Sequence, residues 1–133
     1  MELGVSTTDP IETVDVTARV EEAIPDDLAA GTCTVFSEHT TAAVVVQEAE
    51  SGLLADLESF LADLVPEDGG YRHDRIDDNA AAHLRAALLG GSVTLPVEDG
   101  ALALGTWQSV LFVELDGPRE RRLRVVTSES VDA

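Results

Sequence analysis

Fifteen residues from Tyr71 to Arg85 read Tyr-Arg-His-Asp-Arg-Ile-Asp-Asp-Asn-Ala-Ala-Ala-His-Leu-Arg and hold two of the chain's three histidines. Imidazole titrates near neutral pH, and neutral imidazole is a good ligand. Imidazoles and carboxylates this close together therefore suit divalent metal binding or proton sharing. Asp77 or Asp78 is a natural N-cap for a helix from Asn79 to Leu89, which puts His83 about one turn in, on the same side as Asn79. His73 then lies in the preceding loop, free to fold back over the positive helix end. A capped helix with solvated charges and one satisfied histidine accounts for the same residues, so the stretch alone leaves both readings open.

Other residues can join it. His39 sits in the polar break Ser37-Glu38-His39-Thr40-Thr41 between two apolar runs, Gly31–Ser37 and Ala42–Gln47, at a strand end where sites are commonly built. The same histidine can also be a loop residue in water. Glu48 closes the second run and can face the same pocket. At Gly105-Thr106-Trp107-Gln108 the glycine permits a bend that turns Trp107 and Gln108 toward a cleft, the alternative being a tryptophan that plugs the end of the core. Cys33 falls in an alternating strand pattern and reads as a small buried hydrophobe.

The elements that must position these residues follow from periodicity. Strands are predicted over Glu2 to Thr8 and Ile11 to Val16. A helix capped by Thr17 follows, with Val20, Ala23 and Ile24 on its apolar side and Pro25 at its end. The run Ala42 to Gln47 reads as a strand buried on two faces. Glu50 to Val65 reads as a core helix with the stripe Leu53, Leu54, Leu57, Phe60, Leu61 and Leu64, and Pro66 stops it. In the next helix Ala80, Leu84, Ala87 and Leu88 are expected to face the core, with Gly90-Gly91 as terminator. From Ser92 the period becomes two: Val93 to Val97, a hairpin at Asp99-Gly100, Ala101 to Leu104, Trp107 to Leu115, a turn at Asp116-Gly117-Pro118, and Arg122 to Thr127. The tail after Ser128 is expected to fray. Two strands, a helix, two strands, two helices and four strands make a mostly antiparallel α+β fold in a single domain, residues 1–133.

Charge bounds the function. Asp and Glu number 26 against 8 basic residues, all arginine, for a net charge of -18. Such a surface repels phosphate backbones and anionic lipid, which disfavours nucleic acid and membrane partners. It fits adaptation to a salt-rich cytoplasm, where the short Debye length weakens self-repulsion. One cysteine, no signal-like N-terminus and no bilayer-length apolar run lead to the expectation of a cytoplasmic protein.

The most specific spacing is Ser92-x-x-Leu95-x-Val97-x-x-Gly100-x-x-x-x-Gly105-Thr106-Trp107-Gln108-x-Val110. With it go His39-Thr40-Thr41-Ala42, Glu48, Leu64-Val65-Pro66, Tyr71-x-His73, Asp78-Asn79, Ala82-His83-Leu84 and Leu111-Phe112-x-Glu114. From about Leu3 to Val126 the chain resembles the YjbQ family, also called the secondary thiamine-phosphate synthase family. The resemblance implies a compact two-sheet α+β fold, a homotrimer, and a polar pocket associated with its histidines. It also implies an activity, joining a pyrimidine diphosphate to a thiazole phosphate. His39, His73 and His83 all fall on family positions.

Two kinds of function are open. In an enzyme of this type, diphosphate leaves a methylene carbon and charge develops on the departing oxygens. A divalent metal on His39, His73 and His83 can neutralise that charge, with Glu48 and Asp78 orienting or completing the shell. Asn79 at the helix N-terminus and Arg85, with Arg72 and Arg75, would hold a phosphorylated substrate. Thr106, Trp107 and Gln108 would hold its ring, Trp107 by stacking and Gln108 by hydrogen bonding to an edge. Three histidines lean towards zinc, diphosphate chemistry towards magnesium. The alternative is an accessory protein that binds a metal or small anion without turnover; no P-loop, nucleophile elbow or dinucleotide fingerprint is present to argue against it.

Overall fold

The computed structural model describes residues 1–131. Eight strands form two antiparallel sheets. β1 (Glu2–Ser6), β8 (Glu120–Glu129), β3 (Gly31–Ser37), β5 (Ser92–Glu98) and β6 (Ala101–Leu102) make the five-stranded sheet in that order. β2 (Glu12–Asp15), β7 (Ser109–Glu114) and β4 (Ala42–Gln47) make the three-stranded one. The helices are α1 (Thr17–Glu22), α2 (Ser51–Leu64) and α3 (Ala80–Leu89), with a 3-10 turn at Arg72–Arg75 before α3. The sequence-predicted element order and fold class hold.

Strand alternation builds three layers. Val5, Cys33, Val35, Val97, Leu123 and Val125 of the large sheet meet Val44, Val110 and Phe112 of the small one, with Val16 and Val20 closing the side. On the other face of the small sheet, Ala43, Val113 and Leu115 pack with Leu61 of α2 and with Ala82 and Ala86 of α3. β4 contributes to both clusters, as its continuous apolar run requires.

The helix faces differ from the sequence expectation. In α2 only Leu61 is buried; Phe60 is 58% and Leu64 53% exposed. In α3 the buried side is Ala80, Ala81, Ala82, Arg85 and Ala86, whereas Leu84, Ala87 and Leu88 face outward. Small alanines let α3 lie close on β4, and the Arg85 guanidinium is buried because it finds acceptors beneath the helix. Its Nη2 and Nε donate to the Val65 carbonyl at 2.6 and 3.1 Å, and Nη1 pairs with Glu67 at 2.9 Å. The leucines are left outside.

Ends shift as well. β1 stops at Ser6 and β2 is confined to Glu12–Asp15. Thr17 does not cap α1; Asp15 accepts its N–H and its hydroxyl. Neither Asp77 nor Asp78 caps α3. Asn79 stands at the N-cap position and Asp74 accepts the Ala80 N–H at 2.9 Å, because the 3-10 turn folds that carboxylate back over the helix end. Trp107 is not in β7 and does not plug the core. β8 runs on through Glu129, and the last residues of the tail lie outside the described residues.

Candidate functional site

At the end of both sheets where β3 leads into β4, the connection Glu38 to Thr41 faces the 116–119 turn that leads into β8. The beginning of α3 closes the third side. Gly117 lets the 116–119 turn pack against the connection between β1 and β2, since a Cβ there would lie 2.1 Å from the Asp9 carbonyl oxygen. The elements enclose an open cavity of about 380 Å3 lined by His39, Thr41, Asn79, His83, Arg119 and Arg121, with Glu38, Thr40, Asp77 and Asp116 completing it. A second cavity of about 290 Å3, lined by His39, Thr40, Ala42, His83 and Ala86 among others, shares both histidines.

A buried ion pair forms the floor. Glu114 is fully buried and receives Arg121 Nε at 2.9 Å, the Thr7 hydroxyl at 2.7 Å and the Asp116 N–H at 3.1 Å. Burial pushes the Glu114 carboxyl up, but hydrogen bonds from Arg121, Thr7 and the Asp116 backbone outweigh it and hold the group below the ordinary glutamate range. Arg121 also donates to the Thr41 hydroxyl at 2.9 Å, tying the floor to the His39 loop. At the rim Arg119 pairs with Asp116 at 2.9 Å, and Asp116 accepts from Asn79 Nδ2 at 3.0 Å.

The histidines play unequal parts. His39 Nε2 accepts the Arg122 backbone N–H at 2.9 Å, so the neutral ring carries its proton on Nδ1 as a donor. Burial, and then the Arg121 charge, hold its pKa below the usual histidine value. His83 lines both cavities and packs edge-on against His73, with ring centroids 4.6 Å apart. His73 Nε2 is buried without a hydrogen-bond partner, 3.9 Å from Asp77 Oδ2, and Asn79 Oδ1 is likewise unpartnered.

The fold therefore brings His39, Asn79 and His83 to one cavity, with His73 directly behind. It does not bring the other expected residues there. Asp78 turns through a left-handed backbone (φ 57°) and does not line the cavity, where Asp77 stands instead. Arg85 is consumed beneath α3. Glu48, Thr106, Trp107 and Gln108 lie at the opposite end of the small sheet, since Gln47 pairs with Ser109 while Ala42 pairs with Glu114. Three imidazoles would fit a zinc ion only by converging on one point. The Nε2 lone pair of His39 is taken by Arg122, and among the described residues no group of three His, Cys, Asp or Glu side chains is placed to hold a metal. Sequence reasoning missed Arg119, Arg121, Asp116 and the role of Glu114. Period-two spacing puts Arg119 and Arg121 on one face, a signal that was there to be used.

The comparisons with known proteins agree with this architecture. Residues 1–130 match the family model described as UPF0047 protein YjbQ-like. The chain belongs to the YjbQ family. A UPF0047 protein of Archaeoglobus fulgidus is 51% identical over 125 residues, covering 94% of this chain and 98% of the relative. The UPF0047 protein YugU of Bacillus subtilis is 34% identical, covering 90% and 91%. Among solved structures, a protein of unknown function from Sulfolobus solfataricus superposes with a TM-score of 0.94 at 39% identity, covering 98% of this chain and 96% of that one. A hypothetical protein from Aeropyrum pernix gives 0.93 at 40%, covering 98% of each chain. The two-sheet α+β fold with three helices is thus the fold of YjbQ-like proteins.

Proposed function

We propose that the cavity binds a phosphorylated small molecule and that the protein is a YjbQ-type enzyme joining a pyrimidine diphosphate to a thiazole phosphate. One observation carries this reading: in a chain of net charge -18, one open cavity brings Arg119, Arg121, His39 and His83 together, alongside Glu38, Asp77 and Asp116. An acidic shell repels bulk polyanions, while the arginine and imidazole donors inside the cleft offer partners to a small anion. Arg119 and the Nδ1–H of His39 supply donors for phosphate oxygens. His83, reaching in from α3, donates to the departing diphosphate as the methylene C–O bond breaks and the bond to the thiazole ring forms. Because the three imidazoles do not converge, no step is routed through a metal.

The same reading takes the assembly to be a homotrimer, which the exposed stripe of α2 supports. It takes the setting to be a salt-rich cytoplasm, supported by the acidic composition and the buried, unpaired Cys33. No helix among the described residues is long and apolar enough to cross a membrane.

The test is thiamine phosphate formation by the purified protein in molar KCl, with magnesium, with zinc and with EDTA, beside His83→Ala. Turnover that falls by about 100-fold or more in the variant is expected. If anion binding occurs without product, the non-catalytic accessory reading replaces this one; equal activity in His83→Ala removes the assigned site.

A further inference from the structure

His39 and His83 line two cavities, and the two differ in chemistry. The larger carries the charged groups, Arg119 and Arg121 together with Glu38, Asp77 and Asp116. The second, about 290 Å3, is lined beyond the two imidazoles by Thr40, Ala42, Ala86, Ala87 and Gly91, and by no Asp, Glu or Arg. Because both imidazoles belong to both linings, the cavities adjoin across them. A polar compartment and a largely apolar one therefore open on the same pair of side chains. The second lies at the lower end of ligand-pocket sizes, with room for one ring or a short chain and not for a multi-ring body.

Local structure holds this space open. The link from α3 to β5 is pinned to β3 and β4, the Val44 N–H donating to the Gly90 carbonyl at 3.2 Å and the Ser37 N–H to the Gly91 carbonyl at 2.7 Å. Gly90 is required to be glycine, since it ends α3 with φ 98°. Gly91 is not. Its backbone lies outside the left-handed region, and a Cβ there would meet nothing nearer than the Ser37 carbonyl oxygen at 3.9 Å, an ordinary contact. Ala87 follows His83 by four residues and so shares its side of α3. The chain places exposed leucines at 84 and 88, and leucine forms helix nearly as well as alanine, so neither exposure nor propensity asks for alanine at 87. Both positions are small where backbone and core leave them free to be large, and what their smallness preserves is the second cavity.

We infer that the second cavity is the subsite for the carbon body of the ligand. A phosphate ester or diphosphate lays its anionic end beside Arg119 and His39 and its single ring or short chain against Ala86, Ala87 and Gly91. The bond between the two halves then lies at the paired imidazoles. This rests on the first cavity being the anion site proposed above and names the class of molecule that site takes. Ala87 and Gly91 determine which carbon bodies fit, and burying a ring against them adds affinity that an inorganic anion does not gain.

The test compares benzyl phosphate with inorganic phosphate by calorimetric titration in molar KCl; the two share the anionic end and differ by a ring on a methylene. Wild type is expected to bind benzyl phosphate about 10-fold or more tightly than inorganic phosphate. Ala87→Leu and Gly91→Val fill the cavity from two different elements, and in each the ratio of the two affinities is expected to fall to about one. Leu84→Phe instead narrows the neighbouring apolar cavity of about 300 Å3, lined by Tyr71, His73, Ala80 and His83 among others, and should keep the wild-type ratio. Equal affinities in the wild type, or a wild-type ratio in both Ala87→Leu and Gly91→Val, overturn the inference while leaving the anion site standing. Loss of the ratio in Leu84→Phe alone puts the ring in the other cavity and overturns it as well. If the folded wild type binds neither ligand, anion site and subsite fall together.

Discussion

Glu114 and Arg121, 0% and 5% exposed, are the residues on which the geometry of the cavity depends. The carboxylate orders the Asp116 turn through its backbone N–H, and the guanidinium orders Thr41, so one pair aligns two of the three walls. Removing one member leaves the other charge buried and uncompensated. Glu114→Gln is therefore expected to cost about 3–5 kcal/mol at neutral pH, read from denaturant midpoints. The pH dependence follows from the lowered folded pKa. A depressed carboxyl contributes stability that is fully present above the unfolded value near 4.3 and is lost as pH falls through the folded one. The wild type should lose stability across that acid window, and Glu114→Gln should lose less; parallel acid limbs would remove Glu114 as their source.

At the scale of elements, α2 is the anomaly. It is fourteen residues long, capped by Glu50 accepting the Leu53 N–H at 2.8 Å, and yet buries one side chain. Phe60→Glu is expected to leave helix content by circular dichroism unchanged while shifting gel-filtration elution to a smaller species. Unchanged elution would show that the stripe is not a subunit contact. Periodicity was enough to find this helix and every strand, because alternation is local. It could not say which side of an apolar stripe meets the chain's own core and which is left exposed, and so Leu84, Leu88 and Phe60 were expected inside. The candidate site was legible in part for the same reason. His39, Asn79 and His83 converge as their loop and helix positions predict, but Arg85 faces inward because Val65 and Glu67, distant in sequence, supply its acceptors. Trp107 and Glu48 were grouped with the histidines by motif, whereas the length of β7 separates them.

For the whole molecule, net charge dominates. With -18 spread over 133 residues, self-repulsion acts on the compact state, and screening relieves it. Thermal unfolding is expected about 5 °C or more higher in molar KCl than in dilute buffer; equal midpoints would separate the composition from salt adaptation. Within that shell the cavity that carries Arg119 is the proposed anion site, and its affinity for a small anion is the central claim. The most direct measurement is calorimetric titration of diphosphate into wild type, Arg119→Ala and Arg85→Met in molar KCl. Wild type and Arg85→Met should bind alike, since Arg85 is committed beneath α3, while Arg119→Ala should bind about 10-fold or more weakly. Binding that survives in Arg119→Ala but fails in Arg85→Met, or no binding by the folded wild type, would contradict the account.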